Sequence, residues 1–529
     1  MLGKQAIIDF LVRHNIRVIF YLPGIHTLSL NEGLSTININ VFVPRHEANM
    51  AFMADGFARV SGEIGVLIVT PGPGLGNVVT GCMEAYGDDI PLLVIHVDTG
   101  REEIGKGILH ELVEPENMFR YVTKKTFSVH GREDLVAKLD MAYNLALTGR
   151  RGPVLISIPY TLLEKEVSSQ GHREISSIPA EQFNDLSCFE TVLARKKRPI
   201  IIGGKSLMFE QARPLLDEIC MSSSIPFLTT TSGKGTLDEE NPWCFGNIMQ
   251  KGIAKEIVSS ADITIAIGTR LRDVDARRRG VKIRDLAHVD IDNTWFDKNY
   301  LASYKVSGKI LPLLHDLKNA VQGKTFDWPL NELKETQRQE RQKLQDKSLG
   351  FQLMSLVKDS IPDNTLTIWD LNLMAYWAEY YYPVRYQHSF IMPRGISPIF
   401  FALPAAIGAK IAEPEKPCLA ICGDGGILPT VAELSTIRKY NIPVVILVFN
   451  NNSFGILEDY MRATYSLEGI MSLVNPDFVR VASAFGIKGK RAKTLRQLRT
   501  ILHDSVRWDE PFLLEFSGPV FAPPWRTYP

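Results

Sequence analysis

Short apolar runs rich in β-branched residues alternate with longer stretches whose apolar positions recur at helical spacing, and this alternation repeats three times along the chain. In the first part a helical pattern near residues 4–14 precedes a strand at Val18–Tyr21, and a strand at Ile39–Pro44 runs into a helix over Ala48–Val60. Further strands are read at Gly65–Val69 and Leu92–Val97. Residues 165–188 turn polar and mark a connector. The alternation resumes over 189–323 with Pro199–Gly204, Ile263–Gly268 and His288–Asp292. After the charged, helix-prone segment Asn331–Lys347, which reads as a solvated helix face, it begins again over 349–520. There the strands Thr365–Trp369, Cys418–Cys422 and Val444–Phe449 are joined through a helix at Thr430–Tyr440. The expectation is an α/β protein of three doubly wound parallel-sheet domains, 1–165, 189–323 and 349–520. The proline-rich tail Gly518–Pro529 predicts no regular helix, and either folds over a pocket or trails in solvent.

Composition narrows the classes. Lys+Arg and Asp+Glu are equal at 59 each in 529 residues, so no charge excess favours nucleic acid or an anionic membrane as partner. Six scattered cysteines without a CxxC pair read as reduced core residues. The N-terminus lacks a long apolar core, and no apolar run reaches the roughly 18–20 residues that span a bilayer. A cytoplasmic enzyme acting on small molecules is the default expectation.

The chemistry concentrates in Cys418-Leu-Ala-Ile-Cys-Gly-Asp-Gly-Gly-Ile427 and, one helix and one strand later, Phe449-Asn-Asn-Asn-Ser-Phe-Gly455. Gly423, Gly425 and Gly426 allow a tight turn that brings backbone N–H groups close to an anion. Two neighbouring parallel strands then deliver Asp424 and Asn451 to one sheet edge, where ligands of open α/β sheets bind. A carboxylate, an amide oxygen and a nearby carbonyl, at Ser453, are hard ligands that leave positions for phosphate oxygens and water, as Mg2+ prefers.

This Gly-Asp-Gly…Asn-Asn pattern resembles the signature of thiamine diphosphate (ThDP) enzymes. Over nearly the whole length the chain is similar to the family of acetolactate synthase, benzoylformate decarboxylase and pyruvate decarboxylase, and nearest the first. The resemblance implies ThDP and Mg2+ as cofactors, a 2-oxo acid substrate, and N-terminal pyrimidine-binding, central and C-terminal diphosphate-binding domains. It also implies a homodimer or homotetramer with active sites at the dimer interface. Glu47 in Pro44-Arg-His-Glu-Ala48 resembles the carboxyl group that activates the cofactor's aminopyrimidine; by itself it also reads as a first-turn glutamate complementing a helix dipole. Thr70-Pro-Gly-Pro-Gly-Leu-Gly-Asn77 resembles the loop that packs on the pyrimidine, which points to Pro73 and Asn77. Ile399 holds the place of the apolar wedge that bends the cofactor. Ser397, in place of the usual glycine, would accept the 4′-amino hydrogen bond through its carbonyl; Pro398 predicts extended geometry for it. Asn372 is the candidate for a further diphosphate contact. Substrate specificity points to Ile25, His26 and His110, the histidines being proton donors, carboxylate anchors or packed imidazoles. In the central domain the resemblance leaves FAD, ADP or an empty pocket open. Carboligation, in which the decarboxylated fragment passes to a second carbonyl, is preferred over simple decarboxylation to an aldehyde; a non-catalytic cofactor-binding homologue is the third reading.

Overall fold

A computed structural model describes residues 1–168, 188–209, 211–467, 469–504, 507–519 and 521–527. Its described strands form three six-stranded sheets in which every pairing is parallel apart from isolated bridges. The first contains β1 (Val18–Tyr21), β2 (Asn40–Phe42), β3 (Gly65–Val69), β4 (Leu92–Asp98), β5 (Lys125–Ser128) and β6 (Val154–Pro159), in the order β2-β1-β3-β4-β6-β5. The central sheet contains β7 (Pro199–Gly203), β8 (Phe227–Thr229), β9 (Cys244–Asn247), β10 (Ile263–Ile267), β11 (Leu286–Asp290) and β12 (Tyr304–Ser307), in the order β12-β11-β10-β7-β8-β9. The third contains β13 (Leu366–Trp369), β14 (Phe390–Ile391), β15 (Cys418–Gly423), β16 (Val445–Phe449), β17 (Lys488–Ala492) and β18 (Phe512–Phe516), in the order β14-β13-β15-β16-β18-β17. The first and third sheets thus repeat one topology, while the central sheet has the order of a dinucleotide-binding fold.

Helices cover both faces of a parallel sheet, which is why the inner strands read as unbroken apolar runs instead of alternating ones. Every residue of β1, β3, β7 and β10 is buried. The order of strands reverses between β1 and β3, between β10 and β7, and between β13 and β15. Crevices at the carboxyl ends of these pairs are where such sheets bind ligands.

Several boundaries differ from the pattern reading. The Ile39–Pro44 strand contracts to Asn40–Phe42, because the chain leaves the sheet edge before turning into the helix Glu47–Ser61. The Thr70–Asn77 loop contains a helical turn, Pro73–Asn77, with proline in its first turn, where a missing N–H costs nothing. The helix expected over Thr430–Tyr440 divides into a 3₁₀ segment, Leu428–Glu433, and an α-helix, Leu434–Tyr440. The tail folds over a cavity and includes one helical turn, Pro524–Thr527, against the expectation of none; Pro524 sits at its start, where proline is tolerated. Most of the polar connector lies outside the described residues. Cys82, Cys220, Cys244, Cys418 and Cys422 are buried and unbridged, and no described helix is long and apolar enough to cross a membrane.

The first and third sheets share a core. Helix Glu47–Ser61 lies along helix Ala402–Ala412 so closely that a Cβ at Gly56 would collide with the Ala405 backbone and one at Gly408 with the Met53 carbonyl. Met50, Phe52, Met53, Phe401, Leu403 and Ile407 belong to one buried cluster across this contact.

Candidate functional site

In the third sheet β15 and β16 run in register from Leu419↔Val445 to Gly423↔Phe449. Asp424 and the Asn450–Ser453 segment therefore leave the sheet side by side. Asp424 is almost fully buried; its Oδ2 accepts from Ser453 N at 3.3 Å and from Asn475 Nδ2 at 2.8 Å, and its Oδ1 from Gly425 N at 3.0 Å. Burial pushes the Asp424 carboxyl up in spite of these donors, because it penalises the charged form, and a cation beside it would oppose that penalty. The Ser453 carbonyl accepts from Gly455 N at 2.8 Å and retains a second lone pair. Asn451 is half-buried on the same edge.

A cavity of about 360 Å3 opens here, lined by Gly423, Asp424, Gly425, Gly426, Asn451 and Ser453 on its polar side. Leu371, Met374, Phe449, Phe454 and Phe521 contribute to its apolar side, and Ile399 stands at the rim, 38% exposed. The absence of a side chain at Gly426 is obligatory, since a Cβ would collide with the Ile399 carbonyl oxygen. Among the described residues no three His, Cys, Asp or Glu converge on a metal position. A Mg2+ held by one carboxylate, one amide and one carbonyl, with diphosphate oxygens completing its shell, needs no such cluster, so the donors present fit metal and diphosphate. Asn372 lines the cavity, but its Oδ1 caps helix Leu373–Tyr381 by accepting from Ala375 N at 2.9 Å.

The first sheet gathers the other candidates. Glu47 opens its helix after His46, whose Nδ1 accepts from Ala48 N, and Glu47 Oε2 accepts from Asn77 Nδ2 at 2.9 Å. Pro73, exposed, begins the turn that carries Asn77. His26 and His110 come together, ring centroids 5.8 Å apart, and Tyr160 packs on the other side of His26 at 5.4 Å. Tyr160 donates to Glu103 at 3.2 Å. His26 Nδ1 is buried without a partner, and burial, then the His110 charge, holds its imidazole below the usual histidine range. Ile25 is 68% exposed beside them.

These two groups do not meet within one chain: every residue lining the 360 Å3 cavity lies between Leu371 and Phe521, and Glu47 is not among them. What joins them is structural. The carboxylate of Glu433, fully buried, accepts from Arg45 N at 3.0 Å, from Asn49 Nδ2 at 3.0 Å and from Thr436 Oγ1 at 2.6 Å, and so pins the turn that presents Glu47. Sequence reasoning missed Glu433, although a carboxylate on the apolar face shared by Thr430, Leu434 and Ile437 was a readable signal. Asp370 was passed over in favour of Asn372, yet its Oδ1 accepts from Phe401 N at 2.8 Å and Ala402 N at 2.7 Å, anchoring the chain just after Ile399.

Ser397 corrects an expectation. It lies at φ 62°, in the left-handed region, and not in the extended geometry that Pro398 favours. Local preference yields to three backbone hydrogen bonds accepted by one first-domain carboxylate, that of Glu84.

Three family models match in chain order: the N-terminal TPP binding domain of thiamine pyrophosphate enzymes over residues 1–118, their central domain over 188–317, and their C-terminal TPP binding domain over 372–516. A "Probable acetolactate synthase large subunit" of Methanocaldococcus jannaschii is 30% identical, covering 97% of this chain and 91% of its own length.

The chain belongs to the thiamine pyrophosphate enzyme family.

A further relative in that family is a "Probable 2-ketoarginine decarboxylase" of Pseudomonas aeruginosa, 30% identical over 93% of this chain and 90% of the relative. A "Probable acetolactate synthase large subunit" of Methanococcus aeolicus is 28% identical over 98% and 92%. The central sheet departs from what a thiamine pyrophosphate enzyme with a bound dinucleotide would require. At its switch point, between the ends of β7 and β10, the crevice measures about 60 Å3, against roughly 300–1,000 Å3 for pockets that bury ligands of that size. Arg150 and Arg270 both pair with Asp89 there, and Arg272 pairs with Asp275 at 2.8 Å. A crevice of this volume, crossed by these ion pairs, has no room for FAD or ADP as it stands.

Proposed function

We propose that the chain is a ThDP- and Mg2+-dependent enzyme that decarboxylates a 2-oxo acid and passes the remaining fragment to a second carbonyl, with each active site shared between two copies of the chain. The observation that carries the reading is the side-by-side exit of Asp424 and Asn450–Ser453 into a cavity that no first-domain residue lines. Asp424, Asn451 and the Ser453 carbonyl would hold Mg2+ and, through it, the diphosphate, with the backbone of Gly425 and Gly426 close to the phosphate oxygens. When bound, ThDP would supply the nucleophilic carbanion and the electron sink that decarboxylation of a 2-oxo acid needs. Glu47 of the second copy would hold a proton at the pyrimidine nitrogen, oriented by Asn77. The apolar residues of the cavity, Ile399 among them, would limit water at the reacting carbon.

A second reading is simple decarboxylation to an aldehyde, and one observation favours it: two imidazoles, His26 and His110, stand together where a proton could be delivered. Product analysis decides. With pyruvate and with larger 2-oxo acids, carboligation predicts a 2-hydroxy-2-alkyl-3-oxo acid or acyloin; aldehyde as the sole organic product would refute it. If the imidazoles deliver the proton, His26→Ala and His110→Ala each shift the product ratio toward carboligation, and an unchanged ratio would remove them from that role.

A further inference from the structure

Glu84 lies on the helix Val79–Gly87 of the first domain with no exposed surface. Its Oε1 accepts from Gly395 N at 2.9 Å and Arg59 Nη2 at 3.2 Å; its Oε2 accepts from Ile396 N at 2.8 Å and Ser397 N at 3.0 Å. Each oxygen thus receives two donors, which leaves this buried carboxylate fully satisfied. Three consecutive amides of one domain pointing at one carboxylate of another form an arrangement that no nearby helix or strand requires.

The approach is also rigid. A Cβ at Gly395 would collide with the Glu84 carbonyl, and one at Gly87 would lie 2.5 Å from Gly395 Cα, so backbone rests on backbone. Arg394, just before the turn, is buried and paired with Asp275 and, at 3.1 Å, with Glu379. Just after it, Asp370 accepts the amides of Phe401 and Ala402. Only Pro398, Ile399 and Phe400 lie between these two carboxylate anchors, and Ile399 presents its side chain at the cavity rim.

We propose that Glu84 is a positioning residue for the reaction: it holds Ser397 in the left-handed conformation and thereby fixes the backbone that carries the Ser397 carbonyl and Ile399. This rests on the functional reading above, in which those two groups meet the cofactor. A serine at φ 62° meets steric opposition that glycine does not. The three amide bonds offset it, and they are the means by which this chain does without a glycine at 397.

The test uses the full-length enzyme. Glu84→Gln, which sets an NH2 group against an amide or Arg59, should lower kcat by about 10- to 100-fold with ThDP affinity and KM within about threefold of wild type, the signature of misplacement and not of lost binding. Replacing Ser397 by glycine in that background should recover about tenfold or more, because glycine adopts the conformation unaided. Ser397→Val leaves the buried Glu84–Arg59 cluster intact and should reproduce the kcat loss, so the test survives if Glu84→Gln fails to fold. A crystal structure of Glu84→Gln should show residue 397 outside the left-handed region. Wild-type kcat in Ser397→Val, a Glu84→Gln loss that glycine does not reverse, or Ser397 still left-handed without its carboxylate would overturn the assignment. A wild-type enzyme that releases no CO2 from any 2-oxo acid would instead refute the proposed function, and the crystal structure would still decide whether Glu84 holds the turn.

Discussion

At the scale of single residues, the candidate site depends on few atoms with separable duties. Asp424 is buried and lines the cavity, so replacing it removes a carboxylate from the metal edge. Asp424→Ala should weaken Mg2+-dependent ThDP binding by about 100-fold or more, as loss of a ligand exceeds the usual 10- to 100-fold cost of losing a ligand's support. Glu47 does not line that cavity. Glu47→Gln should therefore bind ThDP nearly as wild type while losing about 10²-fold or more in turnover, the scale of a lost acid–base group. Titration calorimetry beside initial rates separates the two outcomes, and loss of binding in both variants would contradict the division of roles.

Elements, not residues, carry the precision. The strand end Trp369–Asp370 and the start of helix Ala402–Ala412 are joined by Asp370, whose carboxyl burial pushes up to about 8 from 3.8, the amides of Ala402 and Phe401 opposing only in part. The sign follows from proton uptake. Between pH 3.8 and about 8 the folded protein keeps a proton on Asp370 that the unfolded chain releases, so this residue's contribution to stability is complete below the unfolded pKa and is lost as pH rises through the folded one. Asp370→Asn keeps both acceptor bonds and cannot ionise. Its melting temperature relative to wild type should therefore rise steadily between about pH 5 and pH 8; a constant difference would show that Asp370 is ionised throughout. Element types and most of their extents were legible in the apolar runs, because strands buried on both faces leave an unmistakable pattern. The carboxylates that fix how elements meet were not. Glu84, Asp370 and Glu433 each bind backbone amides far away in sequence or beyond a turn; the helical period marks Glu433 as an acid on an apolar face, but it does not say which amides any of the three will meet.

For the whole molecule, the cavity at Asp424 is lined by third-domain residues alone, while Glu47 belongs to the first domain. Helix Gly455–Tyr465 beside the cavity has no buried residue, and Leu457, Tyr460, Tyr465, Ile470 and Val474 near it are exposed. An apolar surface of that kind is ordinarily covered by a partner. If two copies complete each other's sites, Glu47→Gln and Asp424→Ala chains, each nearly inactive, should complement when mixed under subunit exchange. Heterodimers form about half of the mixture and carry one intact site of two, so about a quarter of wild-type activity is expected. No recovery after demonstrated exchange would place both residues in a site within one chain.

The sequence by itself determined the three α/β repeats, the Gly-Asp-Gly turn and the residues able to hold a metal diphosphate, since hydrophobic period, glycine placement and ligand chemistry are local properties. Tertiary structure alone decided that Ser397 is left-handed, that the tail covers a cavity and that the central crevice is closed by ion pairs. Each of these depends on groups that meet only when separate sheets pack, and there a satisfied buried charge outweighs the preference of the residue it holds.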